Sequence, residues 1–191
     1  MTLSPLKQSE RYLLVIDVEA TCCDDRSFPR RHTEIIEIGA VYLDLHDRQT
    51  VAEFQRFVRP VRHPQLTDFC RQLTTITQAG VDAAATFPEV LPEFASWFAA
   101  LPSPFRFASW GAYDKYQFKQ DCKFHRLPYP FPDEHLNLKQ VFTDRVDPNR
   151  PWPMALALEH LNLPLLGTHH RGLDDARNIS EIALALASSL S

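Results

Sequence analysis

The chain has 191 residues, 45% of them hydrophobic and 23% charged, a balance that suits one globular domain with a sizeable core. No apolar run approaches a membrane span, and the opening MTLSPLKQSER lacks the apolar stretch of a signal peptide, so a cytoplasmic protein with no membrane partner is expected. The net charge of −4 argues against a uniformly basic nucleic-acid binder. Cys22, Cys23, Cys70 and Cys122 have no CxxC spacing and read as reduced thiols.

In chain order, residues 12–18 read as a buried strand and residues 34–45, EIIEIGAVYLDL, as a second. Residues 50–59 alternate loosely and end at Pro60, which suits a third. Helical spacing follows over 65–73 and 86–100. In the latter, Phe87, Leu91, Phe94 and Phe98 recur at three and four, Thr86 caps the start, and Pro92 is expected to disturb the first turns. A short strand at 105–110, a helix at 113–126, a strand at 135–138 and helices at 153–161 and 174–188 complete the pattern. Strands in succession followed by helix–strand alternation predict an α/β fold: a mixed central β-sheet flanked by α-helices, with an antiparallel meander on one side.

Asp17 and Glu19 end the first strand. Two apart on a strand, they point to the same face, and adjacent carboxylates repel unless a cation lies between them. A hard divalent metal satisfies that requirement with oxygen ligands. Asp114 opens the helix after the fourth strand, and His170 with Asp175 stands at the start of the last helix. Taken singly, Asp114, Asp174 and Asp175 read as ordinary helix-start acids, and His169 and His170 as loop histidines. The joint order is what a two-metal phosphodiesterase requires. Asp17, Glu19 and Asp175 would hold one ion, Asp17 would bridge to the second, and Asp114 would lie nearby. His170 would hang over the site from a loop. Basic residues gather at Arg30–His32, Arg56–Arg62 and Lys115–Arg126, which read equally as solvated faces and as an electrostatic footprint.

The stretches VIDVEATC, EIIEIGAVYLD, FVRP, LTDFCRQLTTITQAGVD, TFPEVL, GAYDKYQF and HHRGLDDARNI resemble the DEDDh 3′–5′ exonuclease family with its RNase H-like fold. The LTDFC element narrows the resemblance to the 3′ histone-mRNA exonuclease (Eri-1-like) type. The resemblance implies one exonuclease domain over 1–191, with 1–10 as an N-terminal extension and without the N-terminal helical module of the animal enzymes. It makes Asp17, Glu19, Asp114 and Asp175 the metal-holding acids and His170 the general base, in preference to Asp174 and His169. It places the substrate on Phe69, Tyr113, Ala20 and Thr21, with Tyr113 where the animal enzymes carry Trp. It implies two divalent ions, Mg²⁺ or Mn²⁺, and release of nucleoside 5′-monophosphates from single-stranded RNA with a free 3′ hydroxyl. A DNA-directed exonuclease, a non-catalytic nucleic-acid-binding protein and a dinucleotide phosphodiesterase are the alternatives. Protein partners are left unspecified.

Overall fold

The computed structural model describes residues 10–188; the expected N-terminal extension, apart from Glu10, lies outside the described residues. Strand β1 spans Tyr12–Ala20, β2 Ile35–Asp44 and β3 Gln49–Phe57. They form the expected antiparallel meander, with Asp17 opposite Gly39 and Glu19 opposite Glu37. Strands β4 (Phe105–Ser109) and β5 (His135–Asn137) add in parallel on the other side of β1. The sheet order is β3-β2-β1-β4-β5, so the strand carrying Asp17 and Glu19 is central.

Seven helices surround the sheet among the described residues: α1 Asp68–Thr74, α2 Gln78–Asp82, α3 Phe87–Ala99, α4 Tyr113–His125, α5 Leu138–Val146, α6 Met154–His160 and α7 Gly172–Ser188. Every residue of β2 is buried, as a strand covered on both faces requires. Leu13, Val15, Val41 and Leu43 face one layer, built from Phe142, Leu158, Ile179 and Ile182 of α5, α6 and α7. Leu14, Ile16, Ala40 and Tyr42 face the other, where Phe94 and Phe98 of α3 meet Phe118 of α4. The strict in–out alternation along β1 sends consecutive residues to opposite cores.

The departures from sequence expectation are local. Helix α3 runs through Pro92 without a break. Its start is secured by the Glu89 carboxylate, which accepts from the Thr86 amide at 2.8 Å and the Thr86 hydroxyl at 2.6 Å, a reciprocal cap that tolerates the lost hydrogen bond. Helices α2 and α5 were not expected. Asn137 caps α5 by accepting from the Gln140 amide at 3.0 Å, and Leu138, Val141 and Phe142 bury its inner face. The connection from β1 to β2, residues 21–34, includes a 3-10 turn at Arg30–His32.

Candidate active site

Three elements converge where β1 ends. Asp17 and Glu19 project from β1, and a register shift follows immediately between Glu19 and Ala20. Asp175 comes from the first turn of α7, and an oxygen from each of the three carboxylates lies within 4.8 Å of the other two. That approach depends on two glycines. A Cβ built at Gly39 would sit 1.9 Å from the Gly172 carbonyl carbon, and one at Gly172 would sit 3.0 Å from the Asp17 carbonyl oxygen. The start of α7 therefore rests directly on the backbone of β1 and β2, which only side-chain-free residues allow.

Asp114 is the second residue of α4, buried, and its Oδ1 accepts the Val18 amide at 3.0 Å. Val18 lies between Asp17 and Glu19, so this bond holds the third carboxylate beside the first two. The acids are strained electrostatically. Burial, followed by Asp114, Glu19, Asp175 and Glu37, drives Asp17 well above the usual carboxylate range, and every group acting on it pushes the same way. Burial and the neighbouring carboxylates push Glu19 up to about 8. Burial lifts Asp114 to about 6 against the opposing Val18 bond. Such a cluster is unstable as a set of anions without a compensating cation. An all-carboxylate donor set is also what Mg²⁺ and Mn²⁺ prefer, so the residues fit the implied ions.

The two histidines divide their contacts. His169 Nδ1 lies 3.1 Å from both Asp175 oxygens, whereas His170 gives its backbone amide to Asp175 Oδ2 at 2.9 Å. The rings stack, with centroids 4.0 Å apart. His170 has a φ of 63°, a left-handed conformation uncommon outside glycine. Burial and His169 lower the His170 pKa, with Asp175 opposing, which favours the neutral imidazole.

Phe69 on α1 and Tyr113 at the start of α4 keep exposed rings, at 37% and 54%, so both have faces free to receive a base. Burial, with Asp114 and Glu19, raises the Tyr113 hydroxyl pKa. Ala20 and Thr21 are buried. The Thr21 hydroxyl accepts the Glu34 amide at 3.0 Å, and the Thr21 amide donates to the Glu34 carbonyl at 2.9 Å; they shape the rim through the backbone.

Sequence reasoning overlooked Glu37 and Arg171. Glu37 is fully buried opposite Glu19. It accepts from Arg171 Nε at 3.0 Å, Arg171 Nη2 at 3.2 Å and the Gly172 amide at 3.1 Å, with Gln55 as a further donor. It thus anchors the segment that delivers Asp175. The available signal was its even spacing from Gly39 in EIIEIG, a charge among the apolar residues that open β2.

A family model described as exonuclease (RNase_T) matches residues 14–183. The chain belongs to this exonuclease family. It is 35% identical over 182 residues to human 3′-5′ exoribonuclease 1, covering 92% of this chain and 52% of that protein. It is 32% identical over 205 residues to the 3′-5′ exonuclease eri1 of Schizosaccharomyces pombe, covering 93% and 68%. The solved nuclease domain of 3′hExo, described as a DEDDh family member bound to rAMP, superposes with a TM-score of 0.87 at 33% identity, covering 96% of this chain and 95% of that one. The exonuclease family chain described here thus has the expected RNase H-like fold. It spans about half the length of the human relative it matches.

Proposed function

We propose that this chain is a metal-dependent 3′–5′ exoribonuclease, a single exonuclease domain that hydrolyses the 3′-terminal phosphodiester of single-stranded RNA and releases nucleoside 5′-monophosphates. The observation that carries the reading is the convergence of Asp17, Glu19 and Asp175 within 4.8 Å, with Asp114 tied to the same strand. Asp17, Glu19, Asp114 and Asp175 would hold two divalent ions, Mg²⁺ or Mn²⁺. Bound ions of this kind make water a better nucleophile and offset the charge that grows on the leaving oxygen.

The protein's own groups do the rest. His170, held toward its neutral form, takes the proton from the attacking water. Phe69 and Tyr113 stack on the terminal base, each such contact being worth roughly 1–3 kcal/mol, while the backbone at Ala20 and Thr21 borders the terminal sugar. Positioning the last phosphate in this way is itself a large part of the rate. The ribonucleotide bound to the 3′hExo domain and the naming of the human relative as an exoribonuclease favour RNA over DNA. The unpaired cysteines agree with a reducing cytoplasmic setting.

The test is incubation with end-labelled single-stranded RNA and DNA of one sequence, with Mg²⁺, Mn²⁺ or EDTA. Stepwise shortening of RNA from the 3′ end, faster than that of DNA and abolished by EDTA, is expected. Rapid cutting of circular RNA would overturn the exonuclease assignment.

A further inference from the structure

Away from the carboxylates, the exposed face of α4 borders a groove of about 530 Å³. Its walls carry Arg31, Arg62, Lys119 and Lys123 with the rings of Tyr116 and Phe124, and no acidic residue lines it. Tyr116 is 66% exposed and Phe124 42%. The Arg62 guanidinium carbon lies over the Phe124 ring, 3.4 Å from its centroid. Cations interleaved with aromatic faces are what a sequence-tolerant single-strand site needs.

The groove is a built one. The buried Glu34 carboxylate accepts three consecutive amides, from Val61, Arg62 and His63, at 2.9, 2.7 and 3.0 Å, and so fixes the loop that presents Arg62. The neighbouring Ile35 amide donates to Asp121 Oδ2 of α4 at 3.1 Å. Gln120 Nε2 donates to the Thr33 carbonyl at 2.8 Å, which ties the Arg30–His32 turn to the same helix. All three walls are thereby cross-linked by internal hydrogen bonds, among them one from Arg62 Nη1 to the Arg31 carbonyl at 3.1 Å, and Lys119 and Lys123 stay exposed along the groove to meet an external anion.

Helical geometry connects this groove to the acidic cluster. Residues 113, 116, 120, 123 and 124 fall on one side of α4 at the three- and four-residue spacing of a helix face. Tyr113 and Asp114 stand at its first turn and Lys123 near its last. At 1.5 Å per residue, the stripe runs about 15 Å from Tyr113 to Lys123. That length holds about four nucleotides of a stacked strand at roughly 3.4 Å each.

We infer that this groove is the track for the RNA strand upstream of the scissile phosphate, with Arg31, Arg62, Lys119 and Lys123 on phosphates and Tyr116 under a base. The inference rests on the exonuclease reading for its direction. It adds a length dependence: affinity rises with each nucleotide up to about five, four along the track and the terminal one at the carboxylates, and then levels off.

The test compares wild type with Lys119→Glu/Lys123→Glu and with Tyr116→Ala, all exposed positions whose change leaves the core intact. Binding of a labelled 12-nucleotide single-stranded RNA is followed by fluorescence anisotropy over a salt series, in Ca²⁺ to suppress turnover. Hydrolysis of the 12-mer and of a dinucleotide is measured in Mg²⁺. The double variant is expected to weaken 12-mer binding and to lower the salt slope by about 1.4, two phosphate contacts at roughly 0.7 each. Tyr116→Ala is expected to weaken it about fivefold or more, the low end for one stacked base. Dinucleotide hydrolysis should be unchanged in both. Wild-type 12-mer affinity and salt slope in the double variant would overturn the track. Failure of the wild type to hydrolyse either substrate would instead count against the exonuclease reading, and the anisotropy series would still judge the groove.

Discussion

The Val18 amide donates a 3.0 Å hydrogen bond to Asp114 Oδ1, so the start of α4 is pinned to β1 midway between Asp17 and Glu19. This one bond makes Asp114 both a candidate metal-site acid and a structural acceptor, and two substitutions separate the roles. Asp114→Asn keeps an oxygen for Val18 and removes the charge. Asp114→Ala removes both and leaves a buried amide unpaired, at a cost of about 1–3 kcal/mol. Both variants are expected to lose nuclease activity, but only Asp114→Ala should lower the thermal midpoint. Equal midpoints for the two would show that the bond contributes nothing to stability.

The raised carboxylates give the metal-free protein a pH signature. Glu19 titrates near 8 in the fold against about 4.3 in an unfolded chain, so the folded state binds the proton more tightly. Its contribution to stability is complete below about 4.3 and is lost as the pH rises through 8. Metal-free protein should therefore lose thermal stability between pH 5 and pH 8, and Glu19→Gln should flatten that loss. Mg²⁺ should raise the midpoint more at pH 8 than at pH 6, because protons compete for the same oxygens. Differential scanning calorimetry with and without EDTA measures both effects. An identical Mg²⁺ increment at the two pH values would contradict the assignment of Glu19 as a ligand.

Glu37 acts at one remove. It holds Arg171 and the Gly172 amide, and through them the turn that presents Asp175. Glu37→Gln should lower activity about 10–100-fold, the usual cost of disturbing a group that orients a metal ligand, with part of the loss recovered at high Mn²⁺. Arg171→Met leaves Glu37 as a buried charge without its ion partner and should destabilise by about 3–5 kcal/mol. Metal titration of activity beside urea unfolding separates the effects. A Glu37→Gln enzyme with unaltered metal dependence would remove it from this role.

The paired histidines allow a direct contest. His170 is expected to be the base, so His170→Ala should lose about 10²–10⁴-fold in rate together with the acid limb of the pH profile at saturating metal. His169→Ala removes the ring nearest Asp175 and should chiefly weaken metal affinity, with a smaller effect on turnover. If His169→Ala were the variant that lost the acid limb, the base would be His169.

Much of this site was legible in the chain because strand and helix periodicities are strong where the acids lie. The two-residue spacing of Asp17 and Glu19 places them on one face of a strand, and the strand and helix expected around Asp114 at 105–110 and 113–126 match Phe105–Ser109 and Tyr113–His125. Helix α5 escaped notice because it follows β5 without an intervening loop, so its Asn137 cap and first residue, Leu138, fall within the strand expected over 135–138. Glu37 escaped for a different reason. Its spacing in EIIEIG marks a charge among apolar residues but does not reveal its partner, Arg171, 134 residues away. The division of contacts between the two histidines is likewise tied to backbone conformation, here the positive φ of His170, which residue type alone does not reveal.

The contact between Gly39 and Gly172 has an implication for how this protein can change over generations. Because main chain touches main chain there, the spacing between Asp17 and Asp175 is decoupled from the sizes of the side chains filling either core. Trimming Ile179, Ile182 or Phe142 to a smaller apolar residue would cost stability but leave that main-chain contact in place. A single methyl at position 39 has no such latitude, since it would meet the Gly172 carbonyl carbon at 1.9 Å and lever α7 off the sheet without replacing any of the four acids.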